Sequence, residues 1–265
     1  MKTSPMTEKL EGHPVVSRDE WTQARTALLE EEKAHTRESD RLAARRRELP
    51  WVKIEKDYVF QGPEGRMTLA DVFQGRSQLI VQHFMFGPDW KEGCVGCSFG
   101  ADAVDPARVH FQQRDVSFVA ISRAPWPKIE EFKKRMGWKF LWVSSHDSDF
   151  NFDFGVSFKP EQMGQDIVYN YRTEKAEIDE LPGLSVFYKD EAGGIYHTYS
   201  VFSRGQEAIA GAYGYLDIAP KGRDEAHLES GPSWWRHHDR YETDGNGLCC
   251  TSAKAEESSP CGCPS

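Results

Sequence analysis

The stretch Gln78-Leu-Ile-Val-Gln-His-Phe-Met-Phe-Gly-Pro-Asp-Trp-Lys-Glu-Gly-Cys-Val-Gly-Cys97 decides the fold of this chain. Residues 78–86 are nearly all apolar, and Gly87-Pro88 ends the run. Such runs are typical of a central parallel strand that is buried on both faces. Two cysteines follow at CxxC spacing, and a helix is predicted from there towards Gln113. The stretch therefore predicts a strand, a loop that carries two thiols, and a helix.

Further regular elements are predicted on the C-terminal side of the CxxC segment. In chain order we expect a strand at 116–121, a helix at 127–136, a strand at 140–143, paired strands at 184–189 and 195–202, and a helix at 205–216. The segment Asp190-Glu-Ala-Gly-Gly194 is a typical hairpin turn between the paired strands. This order predicts an α/β domain whose central mixed sheet has helices on both faces.

The chain divides into four regions by composition. We expect a disordered leader at 1–16, an amphipathic helix at 17–49, a compact domain at 50–244 with an insertion at 145–180, and a flexible cysteine-rich tail at 245–265. The helix begins at a capping box of Ser17 and Glu20, and Pro50 prevents its continuation. Its narrow apolar stripe predicts packing on the domain or on a second copy, so a homodimer through this helix is one expectation.

Charge and composition exclude several classes of function. A formal net charge of -9 argues against nucleic acid as the main partner, because phosphate binding needs concentrated Lys and Arg. No apolar run has the length of a signal peptide or a membrane span, so we expect a cytoplasmic protein that does not bind membranes. No glycine-rich phosphate loop is visible, so no organic cofactor is expected. In a reducing compartment, six cysteines favour redox or metal chemistry over structural cross-links.

The CxxC spacing of Cys94 and Cys97 suits thiol–disulfide exchange with a disulfide or thiol of a protein or small molecule. A helix N-terminus favours the thiolate of the first cysteine, which is the nucleophile in exchange. Cys94 is therefore the predicted attacking thiol, and Cys97, one turn into the helix, is the predicted resolving thiol. Two alternatives stay open at this point: a metal site, which would need two more ligands, and two cysteines with a purely structural role.

Four further cysteines crowd the C-terminal tail, namely Cys249, Cys250, Cys261 and Cys263. Thiolates on a flexible chain can wrap a soft metal such as Cu(I), or zinc, without a preformed fold. The same residues can instead serve as a store of resolving thiols for Cys94, or have no function. A non-enzymatic module that binds soft metal through the CxxC and the tail is thus one alternative to a redox enzyme.

The segment Leu181-Pro-Gly-Leu-Ser-Val-Phe-Tyr-Lys-Asp190, with the hairpin and helix after it, resembles the second half of a thioredoxin. In thioredoxins a cis-proline precedes the fourth strand and faces the CxxC, and Pro182 matches that position. The resemblance therefore implies a thioredoxin-like fold and a cis bond before Pro182, which costs about 0.5–1 kcal/mol. An ordinary trans proline at the start of a strand is the alternative.

Several longer motifs carry a more specific resemblance, over about residues 15–245. They are His83-Phe-Met-Phe-Gly-Pro-Asp-Trp90, Gly93-Cys-Val-Gly-Cys-Ser98, Ser122-Arg-Ala-Pro125, Arg135-Met-Gly-Trp138, Trp142-Val-Ser-Ser145, His197-Thr-Tyr-Ser200 and the segment Trp235 to Tyr241. By these motifs the chain is identified as a member of a bacterial thioredoxin-like family known as domain of unknown function 899. Membership of this family implies the thioredoxin-like fold but no particular reaction.

The surroundings of the CxxC depart from thioredoxins, which carry Trp before the first cysteine and Gly-Pro between the two. Here Gly93 precedes Cys94, and Trp90 is the nearest upstream tryptophan, so Trp90 is a candidate auxiliary residue. His83 and His197 lie in predicted strands and are candidates for proton transfer, although a hydrogen-bonded core histidine is the more common role for such a residue.

The opening of the domain, Tyr58-Val-Phe-Gln-Gly-Pro-Glu-Gly-Arg-Met-Thr-Leu-Ala-Asp71, resembles that of peroxiredoxins. The resemblance implies a peroxide reductase as the alternative enzyme. In that family a Thr three residues before the reactive cysteine and a distant Arg assist. Lys91 stands at the Thr position, which weakens this alternative, and Arg123 is the candidate arginine.

Overall fold

The apolar run at 78–86 supplies the central strand of an eight-stranded mixed sheet in the computed structural model, which describes residues 9–10, 12–228 and 231–241. The strands are β1 (Lys9–Leu10), β2 (His13–Pro14), β3 (Val52–Lys53), β4 (Val59–Gly62), β5 (Gly65–Thr68), β6 (Gln78–His83), β7 (Val116–Ser122), β8 (Leu141–Ser144), β9 (Asp166–Tyr169), β10 (Arg172–Lys175), β11 (Gly183–Lys189) and β12 (Ile195–Phe202). The α-helices are α1 (Arg18–Arg47), α2 (Val95–Gln112), α3 (Trp126–Met136), α4 (Phe150–Asp153) and α5 (Gly211–Leu216). Short 3-10 helices occupy Asp71–Phe73, Pro160–Gln162, Ser203–Ile209, Gly231–Trp234 and His238–Arg240.

The strand order across the main sheet is β3-β12-β11-β6-β7-β8-β4-β5. β6, β7 and β8 run parallel, with Val81 opposite Val119, whereas β11 is antiparallel to β6 and pairs with β12 as a hairpin. The CxxC helix α2 connects the parallel strands β6 and β7. This β-α-β unit followed by an antiparallel hairpin is the thioredoxin-like α/β fold, and the predicted fold class is confirmed.

Two hydrophobic cores lie on the two faces of the sheet. On one face, α2 and α3 pack against side chains such as Phe84, Phe118 and Trp142. Both helices lie there because β6, β7 and β8 follow one another across the sheet in one direction, and such crossovers have one hand. On the other face, Leu79 and Val81 pack against the β4–β5 hairpin and the short helix α4. Helices therefore cover both faces, but the two long helices of the domain share one.

The N-terminal helix begins where its capping box predicts. The Ser17 hydroxyl accepts from the Glu20 N–H at 3.3 Å, and the Glu20 carboxylate accepts from the Ser17 N–H at 3.0 Å. The helix buries none of its side chains in this single copy of the chain, and Trp21 and Leu28 are about half exposed. A homodimer through α1 stays a prediction.

The insertion at 145–180 contains the β9–β10 hairpin as well as α4. Two expectations differ from the structure. Within the predicted leader, β1 and β2 pair across a turn in which Gly12 has φ 85°. The predicted helix at 205–216 is split, because the backbone at Ala210 (φ -79°, ψ 86°) interrupts it between a 3-10 helix and α5. Within the described residues, no helix combines the length and apolar character that crossing a membrane requires.

Candidate active site

The CxxC segment is held at the end of β6 by backbone hydrogen bonds. The Cys94 N–H donates to the Met85 carbonyl at 2.9 Å, and α2 begins directly afterwards with Cys94 as its N-cap. Gly93 lies so close to the core that an added Cβ would be 2.7 Å from the Phe84 ring and 2.9 Å from the Phe132 ring. This crowding explains why the tryptophan of thioredoxins cannot stand at position 93.

The two thiols have different environments. Cys94 is half-buried, Cys97 is buried, and both are free thiols. A hydrogen bond from the Cys97 thiol lowers the pKa of Cys94 to about 7, with help from the N–H groups of Gly96 and Cys97 and against the effect of burial. The same hydrogen bond and burial raise the pKa of Cys97 well above its usual range. The Cys97 sulfur also accepts from the Met85 N–H at 3.4 Å. The arrangement can present one thiolate and one protonated thiol near neutral pH.

A cavity of about 820 Å³ adjoins both cysteines. Most of its wall is apolar, and the side chains that form it include Ile80, Phe99, Val104, Leu184 and Trp235. Charged groups, Arg204 and Glu207 among them, also line it. A large apolar cavity with few polar groups is the usual form of a ligand site.

Pro182 lines this cavity together with both cysteines, so the structure brings the three predicted residues to one site. The expected cis bond is wrong, because the described residues contain no cis peptide bond. The Pro182 carbonyl accepts from the Tyr169 hydroxyl at 2.6 Å, and the Leu181 N–H donates to the Val156 carbonyl at 2.8 Å. Both hydrogen bonds join this segment to the insertion.

Arg123 makes its ion pairs with carboxylates and not with a thiol. Its Nε donates to Glu180 at 2.5 Å and its Nη2 to Asp179 at 2.8 Å. The buried Glu180 also accepts from the Ser157 hydroxyl at 2.8 Å. Burial raises the pKa of Glu180 to about 7 although Arg123 opposes the shift, and the charge of Glu180 helps to raise the pKa of Cys97. Sequence reasoning missed Glu180, whose signal was a carboxylate directly before the Leu-Pro-Gly segment.

His83 and His197 lie on the opposite face of the sheet from α2. His83 lies on the same face of β6 as Leu79 and Val81 of the second core, and its ring stacks on Phe150 and Phe154 at 5.6 and 5.7 Å between centroids. Burial lowers the pKa of His83 to about 3. The two histidines join one buried chain of hydrogen bonds, His83–Ser185–Ser200–His197, with links of 2.7, 2.8 and 2.7 Å. The sheet separates both histidines from the thiols, so this placement fits the hydrogen-bonded core role and not proton transfer at the redox site.

Trp90 packs beside the site, and Trp235 forms part of its wall. An added Cβ on Gly87 would be 2.9 Å from the Trp90 ring, so the indole packs closely against that backbone. Trp235 instead stacks on Phe99 with 4.8 Å between centroids, and a Cβ on Gly96 would be 2.7 Å from its indole. In the sequence, Trp235 is recognisable only as part of a family motif, which does not indicate a position near the CxxC.

The part of the chain that the structure describes contains no group of three or more His, Cys, Asp or Glu residues arranged to hold a metal ion. The predicted soft-metal ligands Cys249, Cys250, Cys261 and Cys263 lie outside the described residues.

No curated protein matches the chain. Among solved structures, the peroxidoxin BcpB of Mycobacterium tuberculosis is similar at 13% identity and a TM-score of 0.41, covering 62% of this chain and 94% of its own. The bacterioferritin comigratory protein of Xanthomonas campestris has 12% identity and a TM-score of 0.40, over 59% and 90%. The mitochondrial 2-Cys peroxiredoxin of Plasmodium falciparum has 12% identity and a TM-score of 0.37, over 63% and 92%. Residues 10–241 match the family described as "Bacterial protein of unknown function (DUF899)", and the chain therefore belongs to that family, as its motifs predict.

Proposed function

We propose that the protein is a thiol–disulfide oxidoreductase that uses Cys94 and Cys97 as its redox pair. The observation that carries the proposal is the hydrogen-bonded pair of unlike thiols at the wall of a cavity. Cys94 has a pKa of about 7 and is half-buried, whereas the pKa of the buried Cys97 is raised. A nucleophile in exchange must be a thiolate that its substrate can reach, and Cys94 meets both conditions.

In the proposed reaction the Cys94 thiolate attacks one sulfur of a substrate disulfide. A bond forms between Cys94 and that sulfur, and the other substrate sulfur leaves as a thiolate. Cys97 then loses its proton and attacks Cys94, which releases the second substrate thiol and leaves a Cys94–Cys97 disulfide. The pair is oxidised by two electrons and the substrate disulfide is reduced by two.

Glu180 is the group we assign to accept the Cys97 proton. It is buried, its pKa is about 7, and its charge acts on Cys97. Arg123 holds the Glu180 carboxylate in place at 2.5 Å. Pro182 contributes to the cavity wall against which the substrate would rest.

Peroxide reduction is the alternative reaction at the same thiols. It needs a donor group that stabilises the peroxide oxygens, and Arg123, the arginine expected for this role, donates to Asp179 and Glu180 instead. The geometry therefore favours disulfide exchange.

The test is the reduction of a model disulfide, oxidised glutathione, and of hydrogen peroxide by the full chain and two variants. Wild type should form the Cys94–Cys97 disulfide and release two glutathiones per disulfide consumed. Cys94→Ser should lose this reaction, whereas Cys97→Ser should release one glutathione and keep the other bound to Cys94. Circular dichroism checks that both variants fold. A wild type that does not react, or a fully active Cys94→Ser variant, would rule the proposal out. If hydrogen peroxide oxidises wild type and oxidised glutathione does not, the result would favour peroxide reduction.

Metal binding is the non-enzymatic alternative, and the cytoplasm is the compartment we propose for either function. Titration of Cu(I) into the full chain and into a chain that ends at Asp244 tests the alternative. A larger number of Cu(I) ions bound per full chain would support metal binding by the tail. Equal numbers for the two chains would show that the tail cysteines do not bind the metal.

A further inference from the structure

The cavity beside the thiols is elongated along α2. The residues of α2 that line it run from Cys94 and Cys97 at the start of the helix to Ala107 and Phe111 near its end. At a rise of about 1.5 Å per residue, the positions from Cys94 to Phe111 span about 25 Å of helix. Both thiols therefore lie at one end of the cavity, and most of its length extends away from them.

Small side chains of α2 leave space along this cavity. Gly100, Ala103 and Ala107 all line it, and other parts of the wall come from Tyr213 of α5 and from Trp235. Ligand sites usually have volumes of about 300–1,000 Å³ and mostly apolar walls, and this cavity of about 820 Å³ falls in that range. The space therefore suits a ligand with an extended apolar part.

The charged side chains of the wall are already paired within the protein. Glu207 accepts from Arg204 at 2.8 Å and from Arg223 at 2.9 Å, and Glu225 accepts from the Tyr213 hydroxyl at 3.0 Å. Among the described residues, these two arginines and two glutamates are the charged residues of the lining, so its formal charge is zero. A charged ligand group would have to break one of these pairs to gain a counter-ion, whereas an apolar chain would not. The charge of the wall thus favours a neutral ligand.

We propose that the cavity binds the carbon chain of the substrate, and that the substrate is a neutral, low-molecular-weight disulfide with an unbranched apolar chain next to the reacting sulfur. The proposal rests on the proposed function, which supplies the reaction at Cys94. The Cys94 thiolate attacks the sulfur that carries the chain, and the other sulfur leaves and takes up a proton. The chain lies along α2 until Cys97 displaces its sulfur from Cys94. The cysteine pair loses two electrons as its disulfide forms, and the substrate gains them as two thiols.

Single-turnover kinetics with a graded series of substrates tests the proposal. The reduced full chain, freed of reductant, is mixed with N,N′-diacetyl-, N,N′-dibutyryl- or N,N′-dihexanoyl-cystamine, which are neutral and share one type of disulfide. Each rate constant is divided by that of dithiothreitol with the same compound, which removes differences in intrinsic reactivity. Burial of one methylene corresponds to about fourfold, so the butyryl compound should exceed the acetyl compound about 15-fold and the hexanoyl compound should exceed it about 200-fold. Oxidised glutathione, whose carboxylates are charged, should react more slowly than the butyryl compound.

A variant that fills the cavity beyond the thiols should reduce this preference. Gly100 lies six positions after Cys94, about 9 Å along the helix, and a leucine there would occupy the path of the chain. Gly100→Leu should lower the hexanoyl-to-acetyl ratio at least tenfold. The matched control is His110→Leu, which places the same side chain at an exposed position of α2 outside the lining and should keep the ratio. Circular dichroism checks that both variants fold, and the wild-type series decides the matter if Gly100→Leu does not.

Three results would overturn this inference. They are a rate that does not rise with chain length, an unchanged ratio in folded Gly100→Leu, and faster reduction of oxidised glutathione or of insulin disulfides than of the butyryl compound. If wild type reduces glutathione or insulin disulfides without any preference for chain length, the proposed oxidoreductase function stands and only this inference fails. If wild type reduces none of the disulfides, both proposals fail.

Discussion

Replacing Cys97 tests how the site activates Cys94. The hydrogen bond from the Cys97 thiol is the largest influence that lowers the pKa of Cys94, and burial acts in the opposite direction. Cys97→Ala removes the donor, so the pKa of Cys94 should rise. Cys97→Ser is the matched control, because a hydroxyl of similar size can still donate to the Cys94 sulfur.

The size of the effect follows from the two pKa values. With a pKa of about 7, half of Cys94 is thiolate at pH 7. If the pKa returns to an ordinary value of about 8.5, a rise of about 1.5 units that corresponds to about 2 kcal/mol, the thiolate fraction at pH 7 falls to about 3%, which is about 16-fold less. A more basic thiolate is also more nucleophilic, with a Brønsted coefficient of about 0.45, and this recovers about fivefold. The alkylation rate at pH 7 should therefore fall only about threefold.

Two assays separate these effects. The ultraviolet absorbance of the thiolate, followed against pH, reports the pKa, and the rate of reaction with iodoacetamide reports reactivity. The midpoint should lie near pH 7 in wild type, remain close to it in Cys97→Ser and rise by about 1.5 units in Cys97→Ala. If Cys97→Ala keeps a midpoint near pH 7, the side-chain hydrogen bond is not the cause, and the N–H groups of α2 alone would have to account for the shift.

Three further changes test the packing around the site. Gly96→Ala should lower the free energy of unfolding in a urea titration by about 1–3 kcal/mol, because its Cβ would be 2.7 Å from a carbon of the Trp235 indole. Gly100→Ala is the control and should be neutral or stabilising, because its Cβ would make an ordinary 3.7 Å contact. Arg123→Met leaves the buried Glu180 without its ion-pair partner and should lower the free energy of unfolding by about 3–5 kcal/mol. The loss should be larger at pH 8 than at pH 6, because the raised pKa keeps Glu180 protonated at the lower pH. Adding Glu180→Gln should recover much of the loss, and no recovery would contradict the pairing. The pKa of His83 is about 3 in the folded protein and about 6.5 when unfolded, so the unfolded chain binds the proton more readily between these values. The free energy of unfolding should therefore be highest above pH 6.5 and fall towards pH 3 by up to about 1.4 kcal/mol per pH unit from this residue. His83→Gln should flatten this part of the pH profile, and an unchanged slope would count against the lowered pKa.

Several elements were predictable because their causes are local. The Ser17–Glu20 capping box sets the start of α1 through contacts three residues apart. The apolar run from Gln78 could be recognised as a central strand because both of its faces are buried. The CxxC stands at the start of a helix because a strand and a Gly-Pro turn precede it in the chain.

The environment of the thiols was less predictable, because its parts come from distant positions. Trp235 meets the CxxC helix across about 140 residues of chain, and no local pattern signals that contact. The same is true of the ion pair between Arg123 and Glu180. A proline before a strand is compatible with either isomer, and contacts with the insertion go with the trans form of Pro182.

The sequence by itself determined the order of strands and helices, the family and the position of Cys94 and Cys97 at the start of a helix. These features depend on hydrophobic periodicity and on neighbours within a few residues. Only the tertiary structure decided which groups surround the thiols. The crossovers put α2 on one face of the sheet and left His83 and His197 on the other, while Pro182 and Trp235 came from distant parts of the chain to line the cavity beside the thiols. The charge of Glu180 acts on Cys97 in the same way, from a position 83 residues along the chain. Alternation along a strand shows which residues share a face, but the face that a distant element covers is set by packing of the whole chain.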